Sequence, residues 1–139
     1  MSILLFMAFQ TTEPPVKLTW QTLEGIRFED KYNEQAKGYI MYPKFTEQLK
    51  KLEGKIVEVE GFVVPVDKNG AYVALSANPY ASCYFCGRGS AASVMTVKLK
   101  KPNTGYGIDD YVAFRGKLKL NATDVTEFYY ILESSEEVK

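Results

Sequence analysis

The fold is decided by the run Ile56-Val57-Glu58-Val59-Glu60-Gly61-Phe62-Val63-Val64-Pro65-Val66 and by the turn and strand directly behind it. Ile56, Val57, Val59, Phe62, Val64 and Val66 lie among charged residues at a period of about two, which is the pattern of a strand. Gly61 interrupts it where a long strand can bulge or bend sharply. Asp67-Lys68-Asn69-Gly70 then carries an Asn-Gly turn signal, and residues 71–75 return with Tyr72 on one face and Val73 and Leu75 on the other. A second stretch repeats the design. Residues 111–120 place Val112, Phe114, Leu118 and Leu120 as the apolar set, with Gly116 at the bend.

Working outward, residues 93–99 alternate through Val94, Met95, Val97 and Leu99, and residues 128–132 read as a final strand. Tyr39 to Tyr42 is a short strand that Pro43 is expected to stop. Residues 30–38 are polar, end in Gly38 and read as a loop. Ser134 to Lys139 reads as a fraying charged end. One helix is evident, over 44–53, with Phe45, Leu49 and Leu52 at helical spacing and Gly54 as its stop. Trp20 is read as a core or core-edge anchor.

Five or six strands, one helix and two strands curled at glycine predict a mainly β chain that closes on itself. The expected architecture is a small antiparallel Greek-key barrel, OB-like. A β-sandwich or an α+β roll is the alternative. The chain's 139 residues fit one domain, expected over 16–139.

Seventeen basic and seventeen acidic residues leave no net charge, so no overall field draws polyanions and no nucleic-acid partner is expected. Histidine is absent, which excludes Ser-His-Asp and Cys-His catalysis within one chain. Binding rather than turnover is expected. The apolar run Ile3 to Phe9 is too short to span a bilayer, so no transmembrane helix is expected. Followed by Pro14-Pro15, residues 1–15 read as a signal remnant and linker, giving an exported, periplasmic or cell-envelope protein. A buried first strand is the competing reading.

The chemically distinctive segment is residues 76–92, a long non-periodic loop around Cys83-Tyr84-Phe85-Cys86-Gly87-Arg88-Gly89. Two thiols three positions apart can join in a disulfide, share one soft ion, or cycle as a redox dithiol. Gly87 and Gly89 allow a tight turn, and Arg88 favours thiolate. Tyr80, Tyr84 and Phe85 flank the sulfurs and are candidates to shield them or to pack the loop. A disulfide would close a tiny loop and constrain little of the unfolded chain. A metal would need ligands beyond Cys83 and Cys86. A redox dithiol lacks the expected helix N-terminus behind a βαβ unit. Lys98, Lys100 and Lys101 read as a solvated strand end, Glu58 and Glu60 as an exposed strand face, and Asp109-Asp110 as a loop cap.

Leu75 to Gly89, with Ser93-Val94-Met95 after it and Gly61 to Pro65 before it, resembles the bacterial domain-of-unknown-function family 3299 (DUF3299), in its Bacteroidetes-type form. The resemblance spans roughly residues 35–133 and implies a small exported protein without established activity. In proteobacterial members the same loop resembles Cys-x-His followed by prolines, near metal-linked transport systems. Cys83 matches that cysteine, and Cys86 stands close to the histidine. A His-to-Cys exchange keeps soft-metal ligation better than it keeps a disulfide. The resemblance therefore ranks first a module in which Cys83 and Cys86 bind zinc or copper(I). Its partner would be a metal-transport or cell-envelope protein, or a second copy sharing the metal.

Overall fold

The computed structural model describes residues 13–80 and 90–139. Eight strands and two helices follow in order: β1 (Val16–Lys17), α1 (Trp20–Glu24), β2 (Arg27–Asn33), β3 (Gly38–Lys44), α2 (Glu47–Leu52), β4 (Ile56–Pro65), β5 (Tyr72–Ser76), β6 (Val94–Leu99), β7 (Tyr111–Leu120) and β8 (Tyr130–Glu137). Five of the strands close a barrel in the order β4-β5-β6-β8-β7 and back to β4. β6 and β8 run parallel and the other pairs antiparallel. The predicted OB-like barrel is therefore present. β1 adds a short parallel pairing outside β4.

Closure rests on β4. Its first half pairs with β7 from Ile56 opposite Lys117 to Phe62 opposite Tyr111, and its second half pairs with β5 from Phe62 opposite Ser76 to Pro65 opposite Val73. Gly61 sits where one ladder gives way to the other. A Cβ there would lie 2.6 Å from the Ser76 carbonyl oxygen and 3.2 Å from both Leu75 Cγ and Trp20 Nε1. No side chain fits that approach, and the nearest atom is backbone, which cannot swing aside. Gly116 plays the matching part on β7. The ladder to β8 shifts register between Arg115 and Lys117, and a Cβ at 116 would run into the Ser135 hydroxyl.

The inward residues of the barrel strands, including Val57, Val59, Val63, Leu75, Met95, Val97, Phe114, Leu118 and Leu132, form the main core. Leu23 of α1 and Leu49 of α2 are fully buried in the same cluster. Thr19 and Thr46 cap the two helices, accepting from the backbone N–H groups of Thr22 and Leu49. The wholly buried Tyr130 locks α1 to the barrel, its phenol donating to the Leu23 carbonyl at 2.5 Å; burial pushes its pKa well above the usual phenol value. Trp20 packs at the core edge as expected, and its indole donates to the Glu60 carbonyl at 2.8 Å.

Four local readings change. Residues 30–38 are not simply a loop, because β2 and β3 form a seven-pair antiparallel hairpin around a short turn. Pro43 does not stop β3. It lies buried within it opposite Phe28, and a ribbon of only two strands leaves an outer edge where its missing N–H costs nothing. The final strand is Tyr130–Glu137 rather than 128–132, so 134–137 do not fray; Lys100 pairs with Glu136 at 2.9 Å and Ser135 is buried. A second helix, α1, joins the one expected over 44–53, which is observed as Glu47–Leu52.

The loop from β7 to β8 is organised by Asn121. Its amide nitrogen donates to the carbonyls of Asp124, Glu127 and Phe128, and its Oδ1 accepts from the N–H groups of Thr123 and Asp124. Asn121 is thus 7% exposed and fully engaged.

Two substitutions test the seam and the loop. Gly61→Ala is expected to cost about 1–3 kcal/mol by overpacking the seam; an unchanged urea midpoint would show that the seam has room. Asn121→Ala is expected to cost about 2–3 kcal/mol, because several loop amides and carbonyls lose their partner together. A loss below about 0.5 kcal/mol would mean that the loop holds itself without Asn121.

Candidate functional site

Two features of the barrel surface bear on function: the connection that carries the cysteines, and an open cleft beside it.

The connection leaves β5 and returns to β6, two adjacent antiparallel strands. Its stems are tied down. The Ala77 N–H donates to the Ser93 carbonyl at 2.9 Å, extending the ladder by one rung. The Ser76 hydroxyl accepts from the Asn78 N–H at 3.1 Å. The Tyr80 N–H donates to the Asp109 carboxylate at 2.8 Å, which docks the outgoing stem on the loop before β7. On the return side, the Ser90 hydroxyl accepts from Ala92 N–H, and the Ser90 carbonyl accepts from both the amide and the hydroxyl of Ser93. This makes a single 3-10 turn, Ala91–Ser93, whose three residues are buried. Of the residues singled out from sequence, Tyr80 is described and 45% exposed. Cys83, Cys86, Tyr84, Phe85, Gly87, Arg88 and Gly89 lie outside the described residues. Among the described residues there is no group of three or more His, Cys, Asp or Glu side chains that could hold a metal ion. No helix among them is long and apolar enough to cross a membrane.

The cleft has a volume of about 860 Å³. Its floor is the outer face of the β5–β6 ladder, where Tyr72 lies opposite Lys98 and Ala74 opposite Thr96. Small residues there, Ala74 and Thr96 with Ala91 beside them, leave the space open. One end is bounded by Val66, just after β4. One wall is the loop 122–129, and the other is β3 through Ile40 and Met41. The β2–β3 hairpin is held in place by Tyr129, whose hydroxyl donates to the Met41 carbonyl and whose ring lies 5.5 Å from that of Phe28. Beyond this anchor the hairpin exposes Tyr32 and Tyr39, stacked edge to face at 5.9 Å, together with Met41.

The cleft holds little charge. Among the described residues Lys98 is its one cation, and Glu127 pairs with it at 3.1 Å. Asp124 is the remaining ion; the Thr126 hydroxyl and backbone N–H, both donating to it, hold its pKa below the usual carboxylate range. Of the three lysines that end β6, two engage acidic partners on neighbouring segments, Lys98 with Glu127 and Lys100 with Glu136. Glu58 meets Arg115 at 2.6 Å. Asp110 caps its own loop, accepting from the Gly107 N–H, whereas the Asp109 carboxylate accepts from Tyr80 on another segment.

The sequence does not announce the cleft. Its one signal is the expected OB-like fold, because such barrels bind ligands on their second and third strands between the first and last hairpin loops. In this chain those parts are β5, β6, residues 66–71 and residues 121–129.

No protein-family profile and no curated relative matches the sequence. A solved structure does match in shape: the crystal structure of a DUF3299 family protein from Pseudomonas aeruginosa PAO1 superposes with a TM-score of 0.57, covering 91% of this chain and 98% of that one at 15% sequence identity. The similarity lies in the backbone arrangement, and on it the chain has the fold of a DUF3299 family protein.

Proposed function

We propose that this chain is a binding module for a soft transition metal, zinc or copper(I), held by the thiolates of Cys83 and Cys86. The observation that carries the reading is the mounting of the cysteine segment. It is inserted between two neighbouring barrel strands, and both stems are fixed by hydrogen bonds at Ala77, Tyr80 and Ser90. The stems fix where the segment leaves and rejoins the barrel, and Cys83 and Cys86 stand three positions apart in it, a spacing at which two thiolates can share one ion. Soft thiolates select zinc and copper(I) over hard cations.

Two thiolates fill two of the four positions of tetrahedral zinc. Among the described residues no group of three or more His, Cys, Asp or Glu could hold an ion by itself. In this reading the remaining ligands come from a carboxylate, from a second copy or from a metal-transport or cell-envelope protein that exchanges the ion. An incomplete site suits transfer, since a closed four-ligand site releases its ion slowly. We place this activity outside the cytoplasm, in the periplasm or cell envelope, where the apolar run Ile3 to Phe9 would have directed the chain.

The test is equilibrium dialysis of the reduced full chain against zinc and, separately, copper(I). Stoichiometric uptake is expected, abolished by the double variant Cys83→Ser with Cys86→Ser and weakened on acidification as protons compete for the thiolates. Equal uptake by the parent and the double variant would overturn the reading. So would a pair that stays oxidised under the reducing conditions and takes up no metal, which would identify a stapling disulfide.

A further inference from the structure

We propose that the outer edge of β2 pairs antiparallel with the same edge of a second copy, joining two hairpins into one sheet. The cysteine segment takes no part in this pairing.

Pro43 settles which backbone groups of the hairpin are free. It lies opposite Phe28 and has no N–H, so that pair does not exchange backbone hydrogen bonds. Alternation then makes Arg27–Lys44, Glu29–Tyr42, Lys31–Ile40 and Asn33–Gly38 the bonded pairs. The N–H and C=O groups of Phe28, Asp30 and Tyr32 therefore point away from β3. Among the described residues no strand but β3 pairs with β2, and no hydrogen bond engages these groups. The outer edge of β3 is a poorer template. Pro43 has no donor to offer, and the Met41 carbonyl already accepts from the Tyr129 hydroxyl. β2 has neither a proline nor a bulge over Arg27–Asn33. Its guard against indiscriminate pairing is charge, and charge also selects the partner.

The free backbone groups belong to residues 28, 30 and 32, so these must face one another across the new ladder. Asp30 is the midpoint of β2. With Asp30 on the twofold axis, Glu29 falls opposite Lys31 of the second copy, and Lys31 opposite its Glu29. Both are non-hydrogen-bonded pairs, in which opposing side chains approach closest. Phe28 and Tyr32 fall opposite each other on the other face, and Tyr32 is 51% exposed and open to a second ring. Moving the axis to Glu29 sets Glu29 against itself and Arg27 against Lys31. Moving it to Lys31 sets Lys31 against itself. Of these three registers only the one centred on Asp30 matches opposite charges, and its one cost is Asp30 against Asp30. Within one copy Glu29 meets Lys44 at 2.8 Å but Lys31 only at 3.8 Å, so Lys31 is the cation most readily taken by the Glu29 of the second copy. The contact is isologous. One edge ladder is small beside the roughly 1,200 Å² or more of a stable interface, so the pairing is reversible and depends on concentration.

The experiment is sedimentation equilibrium of the reduced full chain in the presence of a chelator, with amide chemical-shift mapping across the same concentrations. A monomer–dimer equilibrium is expected, with concentration-dependent shifts centred on residues 27–33. Lys31→Glu and Glu29→Lys are each expected to weaken association about tenfold, because each turns both ion pairs into like pairs. An equimolar mixture of the two variants is expected to recover the association of the parent, which also shows that both are folded. Asp30→Asn is expected to tighten it. The double variant Cys83→Ser with Cys86→Ser is expected to associate like the parent. Four results overturn the proposal: a monomer at every concentration, shifts centred away from β2, a mixture that associates no better than either variant alone, or a dimer that vanishes with the chelator or the cysteines. The same holds if the chain stays monomeric while an unrelated extended peptide protects the Phe28, Asp30 and Tyr32 amides.

Discussion

The absence of a side chain at Gly61 is the condition on which the architecture turns. β4 must serve two sheets, handing over from β7 to β5 within one residue. At that handover the Ser76 carbonyl comes within 2.6 Å of where a Cβ would be. Five strands can then close without a free edge. Closure sets the direction of everything outside it: the outer face of β5 and β6 becomes a floor, and the stems of the connection between them are fixed. Gly116 and its register shift give β7 the matching curvature beside Ser135.

The parts before β4 complete what the barrel lacks. α1 and α2 contribute Leu23 and Leu49 to the main core, and the Tyr130 phenol is satisfied by a carbonyl from α1. A buried phenol without that partner would be costly, so the first helix and the last strand are energetically one unit. The β2–β3 hairpin is less deeply tied. It is anchored near its root by Phe28, Pro43 and the Tyr129 bond to Met41, and its far half extends past the barrel with tyrosines open to solvent.

The barrel is legible in the sequence because its signals are local. Gly61 and Gly116 interrupt long alternating runs, and the Asn69-Gly70 turn joins two of them. The β2–β3 hairpin is obscured because only one of its faces meets the barrel, and only near the root; Asp30, Lys31 and Tyr32 face solvent and read as a loop. The end of β8 is obscured for a different reason. Its charged residues pair with Lys100, Lys119 and other side chains far away in sequence, which periodicity does not register. The cysteine segment stands out through its composition alone. The cleft is invisible because its lining comes from six separated stretches between Ile40 and Tyr129, each of which reads as ordinary strand or loop by itself.

The position of β8 has a consequence for how the chain is made. β8 is the C-terminal strand of the barrel, yet it lies between β6 and β7, parallel to one and antiparallel to the other. Until residues 130–137 have left the ribosome, β6 and β7 each carry an unpaired margin, and the Leu23 carbonyl waits for its phenol. The barrel therefore cannot seal until its last strand has emerged. A nascent chain of this topology spends its vulnerable period with adhesive borders exposed, and it is then that a holding chaperone would matter most.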